Sequence, residues 1–423
     1  MTPEIKQRIK QIRRGEVPVG YIKTASGVAP ANWTRYTFGD IYTERKEPGS
    51  EDLPFLMVSI HSGVSDGEVD EEELPKKVKR IKDKSQYKKA ASGDLVFNMM
   101  RAWQGAIGTV RTTGMVSPAY IVAQPNDKVH PLFMDYYTKT PRMIHQIDRQ
   151  SYGVTDFRKR LYWDSFAPIS CTLPPIEEQQ KIADILTTEN KVIELKEKRL
   201  VEKQRQKKYL MQQLLTGKKR LPGFSGEWKV TRLHNIVKRH TKRNAAGNTN
   251  VLTISAQYGL INQAKFFNKT IASDDKSNYF LLGRGDFAYN KSYSKGYPFG
   301  TIKRLTRYDI GIVSPLYICF RPKFGNISDE YLEQYFEAGL MNHEIQAFAQ
   351  EGARNHGLLN IEVDDFFNSR LLLPPLEEQT AIAEVLSTAD REIELLQQDI
   401  EQEKRKKKAL MQLLLTGIVR VTV

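Results

Sequence analysis

Two short stretches place hydrogen-bonding side chains beside aromatic rings. Met99 to Gly105 holds Arg101, Trp103 and Gln104; Lys291 to Tyr297 holds Lys291, Tyr293, Lys295 and Tyr297. A guanidinium group suits the edge of guanine and a side-chain amide suits adenine. Lysine neutralises phosphate but carries no sequence information. Each stretch follows the same preface, Gly93-Asp94 with Asn98 and Gly285-Asp286 with Asn290, which reads as a strand entering a loop. The flanks agree and the tips differ, as the reading of two different base sequences requires. Further cations cluster at Lys238, Arg239, Lys242 and Arg243, where phosphate contact is expected. Arg158 and Lys159, and Arg354 in the other half, stand at matching places and suggest a second loop on the same face. The lysines between Lys76 and Lys89 adjoin the acidic run 66–73 and read as a solvated loop.

The charge balance agrees with a polyanionic partner. In 423 residues, Lys and Arg number 64 against 50 Asp and Glu, a net charge of +14. No apolar run is long enough to span a bilayer, and the first residues hold no secretory signal, so a cytoplasmic protein is expected. Two cysteines, Cys171 and Cys319, exclude a disulfide scaffold and a four-cysteine zinc site. No phosphate-binding loop, glycine-rich cofactor turn, zinc-ligand spacing or Asn/Asp-Pro-Pro-aromatic tetrad occurs. An enzyme acting alone is therefore not expected, and no metal site is. His145 and His343, near helix ends, are expected to be structural.

These candidates sit in a duplicated chain. Residues 173–217 and 373–417 align without a gap at an offset of 200, with about half the positions identical. Fainter matches precede them in the same order, among them Trp33 with Trp228 and Val116-Ser117-Pro118 with Val313-Ser314-Pro315. Each half is thus a divergent block followed by a block that has held its sequence. The first behaviour suits a specificity element, the second a structural or partner-binding one.

The kept block reads as a helix. Proline pairs and glutamates open each copy, and Gly217 and Gly417 close it. Apolar residues recur with coiled-coil spacing, Ile182, Leu186, Ile193, Leu200, Leu210 and Leu214 in one copy, and Ile382, Leu386, Ile393, Ile400, Leu410 and Leu414 in the other. Lys203, Lys207, Glu403 and Lys407 interrupt that seam. A helix of about 40 residues is about 60 Å long and cannot bury its stripe alone. Its own repeat is the matching partner, which predicts an antiparallel pair and a pseudo-two-fold arrangement. The second copy ends soon after Gly417, so a short basic N-terminal helix, Ile5 to Ile12, is expected to pack there and close the symmetry. The expected organisation is an N-terminal arm 1–32, a recognition block 33–172, long helix 173–217, linker 218–232, a second block 228–372, long helix 373–417 and tail 418–423. The fold class is mixed α/β (α+β), with two globular domains separated by two long antiparallel helices.

The doubled LPPxEEQxxIAxxL helix start at 173 and 373, the stretch LLTGKKRLPGFSGEW at 214–228 and the LLTG at 414–417 resemble the specificity subunit of type I restriction–modification enzymes. The resemblance covers essentially the whole chain. It implies two target recognition domains, each reading half of a split double-stranded DNA sequence, with the long helices fixing the gap. It implies docking of two DNA adenine methyltransferase subunits, joined by motor–nuclease subunits. S-adenosylmethionine, ATP and magnesium would belong to those partners, leaving this chain without a cofactor or a catalytic step. Two alternatives stay open: the recognition chain of a restriction enzyme whose nuclease and methyltransferase share one polypeptide, and a coiled-coil scaffold that does not touch DNA.

Overall fold

Proline pairs fix where the two long helices begin, at Ile176–Leu214 and Leu376–Leu414, 39 residues each. Gln179 and Gln379 lock these starts identically. Each donates its amide to the carbonyl of Pro174 or Pro374 at 2.9 Å, and each accepts a backbone N–H, from His130 at 2.9 Å or Ser328 at 3.0 Å. Gly217 and Gly417 both take φ +70°, the left-handed turn that stops a helix.

The computed structural model describes every residue except 1, 25–26, 61–62, 66–80, 82, 154, 156–157, 268–274, 294–295, 352–358 and 422–423. The chain divides into two units, 1–196 with 399–423, and 197–398. Both boundaries fall inside the long helices, so each unit holds a globular block and part of each long helix.

The blocks share one plan. A four-stranded antiparallel sheet runs in the order Tyr42–Glu44, Tyr120–Pro125, Leu95–Asn98, Ile107–Thr109 in the first unit. The second repeats it as Val237–Arg239, Ile318–Pro322, Phe287–Asn290, Thr301–Arg304. Two helices follow in each, Pro131–Tyr137 and Pro141–Gln150, then Asp329–Glu337 and Asn342–Phe348. A strand pair ties block start to block end, Thr34–Thr37 with Ser170–Leu173 and Lys229–Arg232 with Arg370–Leu373. This is the mixed α+β class expected from the sequence.

The ends of the long helices complete both cores. Ile182, Leu186 and Leu414 pack with Phe97, Phe133 and Phe166 in the first unit, and Leu214, Ile382 and Leu386 with Phe287, Phe320 and Phe366 in the second. Ile193 and Ile400 are also buried, whereas Leu200, Leu210, Ile393 and Leu410 are half-buried.

Between these ends, charge replaces the apolar seam. In the first unit Lys196 meets Asp399 and Glu403, both at 2.8 Å, and Lys406 meets Glu189 at 2.9 Å. In the second, Lys203 meets Glu392 and Lys207 meets Asp390, both at 2.6 Å. Partner numbers fall as residue numbers rise, so the helices run antiparallel within each unit. Lys203, Lys207 and Glu403 are therefore inter-helix ion pairs, a correction to their reading as interruptions. Lys407 instead lies over the Tyr136 ring, 5.8 Å from its centroid.

The N-terminal helix, Pro3–Arg13, lies as expected near the end of the second long helix. Arg8 Nη1 donates to the Ile418 carbonyl at 3.2 Å, and the Tyr21 hydroxyl donates to that of Gly417 at 2.8 Å. The second repeat extends further than its sequence suggests, because Arg420 occupies the place of Arg220 and pairs with Glu178 as Arg220 pairs with Glu378. Among the described residues no helix is long and apolar enough to cross a membrane.

Candidate nucleic-acid interface

The two tip sequences join the same two strands of the same sheet in each unit. Residues 99–106 connect Leu95–Asn98 to Ile107–Thr109, and residues 291–300 connect Phe287–Asn290 to Thr301–Arg304. The shared preface explains itself in the structure. Gly93 and Gly285 take φ +92° and +91°, which favours glycine. The buried carboxylates of Asp94 and Asp286 accept the backbone N–H of Ala91 and Gly283 at 2.8 and 2.7 Å. Each is also gripped by a guanidinium, Arg45 on Asp94 and Arg321 on Asp286. Burial pushes the Asp94 carboxyl up, against the pull of Arg45. Asn98 and Asn290 then start both loops by accepting the N–H two residues on, from Met100 at 2.9 Å and Ser292 at 3.1 Å.

A second segment of the chain is fastened to each tip. The Leu161 N–H donates to the Met99 carbonyl at 2.9 Å, and the Leu359 N–H donates to that of Lys291 at 3.0 Å. Leu161 and Leu359, which lie before the two long helices, therefore clip to the tip loops at equivalent positions. Sequence reasoning expected both loops to face the same ligand but did not find this clip, since nothing in the four residue types signals a backbone bond.

In the first unit the side chains divide into two roles. Arg101, Gln104 and Arg158 are exposed. Trp103 donates its indole N–H to the Met100 carbonyl at 3.1 Å and packs against the core. Lys159 lies over its ring, 5.0 Å from the centroid, and pairs with Asp148 at 2.9 Å. Trp103 and Lys159 thus join the two loops. Tyr152 and Tyr162 add neighbouring exposed rings, 5.9 Å apart.

In the second unit Tyr293 is exposed at 61% and Lys291 is half-buried. Tyr297 turns inward. Its hydroxyl donates to Glu337 at 3.0 Å, Lys303 lies 5.5 Å from its ring centroid, and burial followed by the Glu337 charge raises its pKa. Tyr297 shapes the loop as Trp103 does in the first unit. Lys295 and Arg354, with the stretch Gly352 to His356, lie outside the described residues.

The basic cluster lies elsewhere. Lys238 and Arg239 are exposed on the edge strand, separated from the loop-bearing pair by Ile318–Pro322. Lys242 and Arg243 follow it, exposed, with Arg243 donating to Asn278. The structure does not bring these four to the 291–300 loop; they form a separate cationic edge. Among the described residues no group of three or more His, Cys, Asp or Glu side chains could hold a metal ion.

The family model for the type I restriction modification DNA specificity domain matches residues 40–203 and 226–404. The type I restriction enzyme MjaVIII specificity subunit of Methanocaldococcus jannaschii is 26% identical over 335 residues, 73% of this chain and 75% of that relative. Among solved structures, the type I restriction–modification S subunit from M. genitalium superposes with a TM-score of 0.54 at 8% identity, over 93% of this chain and 97% of that one. A chain from a structure of type I R-M complex assembly and conformational transition gives 0.52 at 17% identity, over 92% and 99%. At these identities the solved structures speak for the fold alone.

Proposed function

This chain belongs to the type I restriction–modification DNA specificity family, and from that premise we propose that each of its two units reads one half of a split duplex sequence. It is a DNA-recognition specificity subunit. The observation that supports the division of labour is the repeated frame with unlike tips. Both units clip a second segment to the same hairpin, through Leu161 or Leu359, yet one presents Arg101 and Gln104 and the other Lys291 and Tyr293. Arginine and glutamine read base edges by paired hydrogen bonds; lysine and tyrosine favour phosphate and stacking.

In this reading the chain performs no catalysis. It brings two adenine methyltransferase subunits and motor–nuclease subunits to the DNA in the cytoplasm. S-adenosylmethionine, ATP and magnesium act on those partners. The long helices carry the docking. Their buried apolar residues complete the core of each unit, while Leu195 and Leu395, equivalent in the repeat and 56% and 64% exposed, offer apolar contact. The heptad pattern passes over both because they lie off the seam.

The test is co-expression with a methyltransferase subunit, followed by methylome sequencing. A bipartite methylated motif, absent without this chain, is expected, with half-sites about one helical turn apart. Exchanging 33–172 for another block should change one half only. A continuous motif, or methylation independent of the chain, would remove the two-reader mechanism. A scaffold that does not touch DNA would show no salt-sensitive retention on a DNA resin.

A further inference from the structure

Helix Pro141–Gln150 carries Arg142, His145 and Arg149 on one face, at spacings of three and four. Met143 and Ile147, on another face, are buried in the core. Beside the charged face, Arg35 from strand Thr34–Thr37 donates to the Ser170 hydroxyl at 3.0 Å. With Gln146 these residues line a cleft of about 490 Å³ that has no acidic side chain among the described residues of its wall. Three guanidinium groups therefore share one concave surface without a carboxylate to neutralise them. Their planar forks match the oxygens of a phosphate group.

The second unit has the same backbone here and different chemistry. The bonds of Gln179 to His130 and Gln379 to Ser328 align the two helices, and buried Met341 and Ile345 repeat Met143 and Ile147. On that alignment Leu340 replaces Arg142, Ala347 replaces Arg149 and Glu344 replaces Gln146. Strand register puts Val230 in place of Arg35 and Arg370 in place of Ser170. Glu344 accepts the Arg370 backbone N–H at 2.8 Å and lies 3.7 Å from its guanidinium. The site is neutral and self-paired. A feature the fold needed would stand in both units; the basic face stands in one.

The helix that carries this face also packs against the reading turn Ala102–Gln104. Cleft and reading loop thus share one rigid support. We propose that the cleft formed by Arg35, Arg142 and Arg149 binds a backbone phosphate of the DNA beside the half-site read by the first unit, and that the second unit has no counterpart. The proposal rests on the DNA-reading function above.

The experiment measures the affinity of the full chain for a duplex carrying its bipartite site across a salt series. Wild type is compared with Arg142→Gln/Arg149→Gln, and with His343→Gln/Ala347→Gln, two exposed positions on the matching helix of the second unit that stand in place of His145 and Arg149. Loss of that phosphate contact should lower the slope of log K against log salt by about 1 and weaken binding about tenfold near physiological salt, with base preference unchanged. The second-unit variant should keep the wild-type slope. Methylphosphonate substitution at individual phosphates should weaken wild type at positions flanking one half-site and leave the first variant unaffected there. An unchanged slope in a variant that melts like wild type would overturn the proposal. So would stabilisation by inorganic tripolyphosphate with no change in DNA slope, which would make the ligand a free polyphosphate. Lost subunit association at an unchanged slope would instead mark an acidic protein surface, and also overturn it. Absence of salt-dependent DNA binding in wild type would remove the DNA reading itself, a result distinct from failure of the cleft alone.

Discussion

Glu178 holds Arg420 in a two-pronged pair, Nε to Oε1 and Nη2 to Oε2 both at 2.7 Å. Trp33 donates its indole N–H to the same carboxylate at 3.3 Å. Glu378, Arg220 and Trp228 repeat the node in the second unit at 2.5, 2.6 and 3.2 Å. There the arginine and the tryptophan are neighbours in sequence; in the first unit they come from opposite ends of it. Both carboxylates are almost wholly buried, at 1% and 0% exposure, so each depends on its arginine. Arg420→Ala should destabilise the first unit by about 1–3 kcal/mol, the cost of a buried acceptor left short of partners. Arg220→Ala should do the same to the second. Adding Glu178→Gln to Arg420→Ala should recover part of the loss by removing the buried charge. Hydrogen exchange, which resolves the units, measures all three; wild-type protection in Arg420→Ala would show that the pair contributes nothing.

Half-site preference should separate by unit. Arg101→Ala or Gln104→Ala should relax base choice in one half of the motif by about 1–3 kcal/mol, the range for a lost two-bond base contact. Tyr293→Ala should affect only the other half. Trp103→Ala differs in kind, since its indole fastens the Lys159 loop to the reading loop. It should lower stability and weaken binding to all sequences together. Selection from a randomised duplex library reads each outcome, and a Gln104→Ala effect on both halves would contradict the modular arrangement.

What the sequence made legible follows from how each feature is written in it. The long helices are legible because apolar spacing along one axis leaves a one-dimensional trace. The reading hairpin is legible because Gly93-Asp94 and Asn98 act on their own neighbours, within a few residues. The guanidinium that grips each aspartate was not legible. Arg45 follows the edge strand, whereas Arg321 lies on the neighbouring strand, so the partner has moved between repeats while the aspartate stayed. The inter-helix pairs look like defects in the sequence for a related reason. Whether Lys203 faces Glu392 depends on the register between helices, which neither helix encodes alone.

The two thiols report on the two cores. Burial pushes Cys171 and Cys319 up to about 12, from the usual value of 9.0. A thiol whose folded pKa is raised favours the protonated form, so its contribution to stability is complete below the unfolded value and is lost as pH rises toward the folded one. Both units should therefore lose stability progressively between about pH 9 and 12. At pH 8 neither cysteine should react with a thiol reagent in the folded protein, and both should react on denaturation. Rapid native labelling of either would show that its core opens.

Apolar ends and a charged middle give the long helices two separable functions. Leu186 is wholly buried in the first core, and Leu186→Ala should cost about 2–5 kcal/mol whatever the salt. Lys196 instead faces Asp399 and Glu403 near solvent, where water and salt screen each pair and leave it a small contribution. Lys196→Glu should destabilise modestly and gather three carboxylates. Asp399→Lys/Glu403→Lys on that background should restore the loss, and high salt should shrink both changes. The hydrogen bond from Lys196 holds the Glu403 carboxyl below its ordinary range, as that from Lys203 holds Glu392. A depressed carboxylate stabilises fully above its unfolded value and loses that contribution as pH falls through the folded one. The charge-reversal penalty should therefore fade below about pH 4, near the ordinary glutamate value, while the Leu186→Ala penalty persists. Equal fading of both would mean that acid opens the helix pair as a whole and that the charges do not set its register.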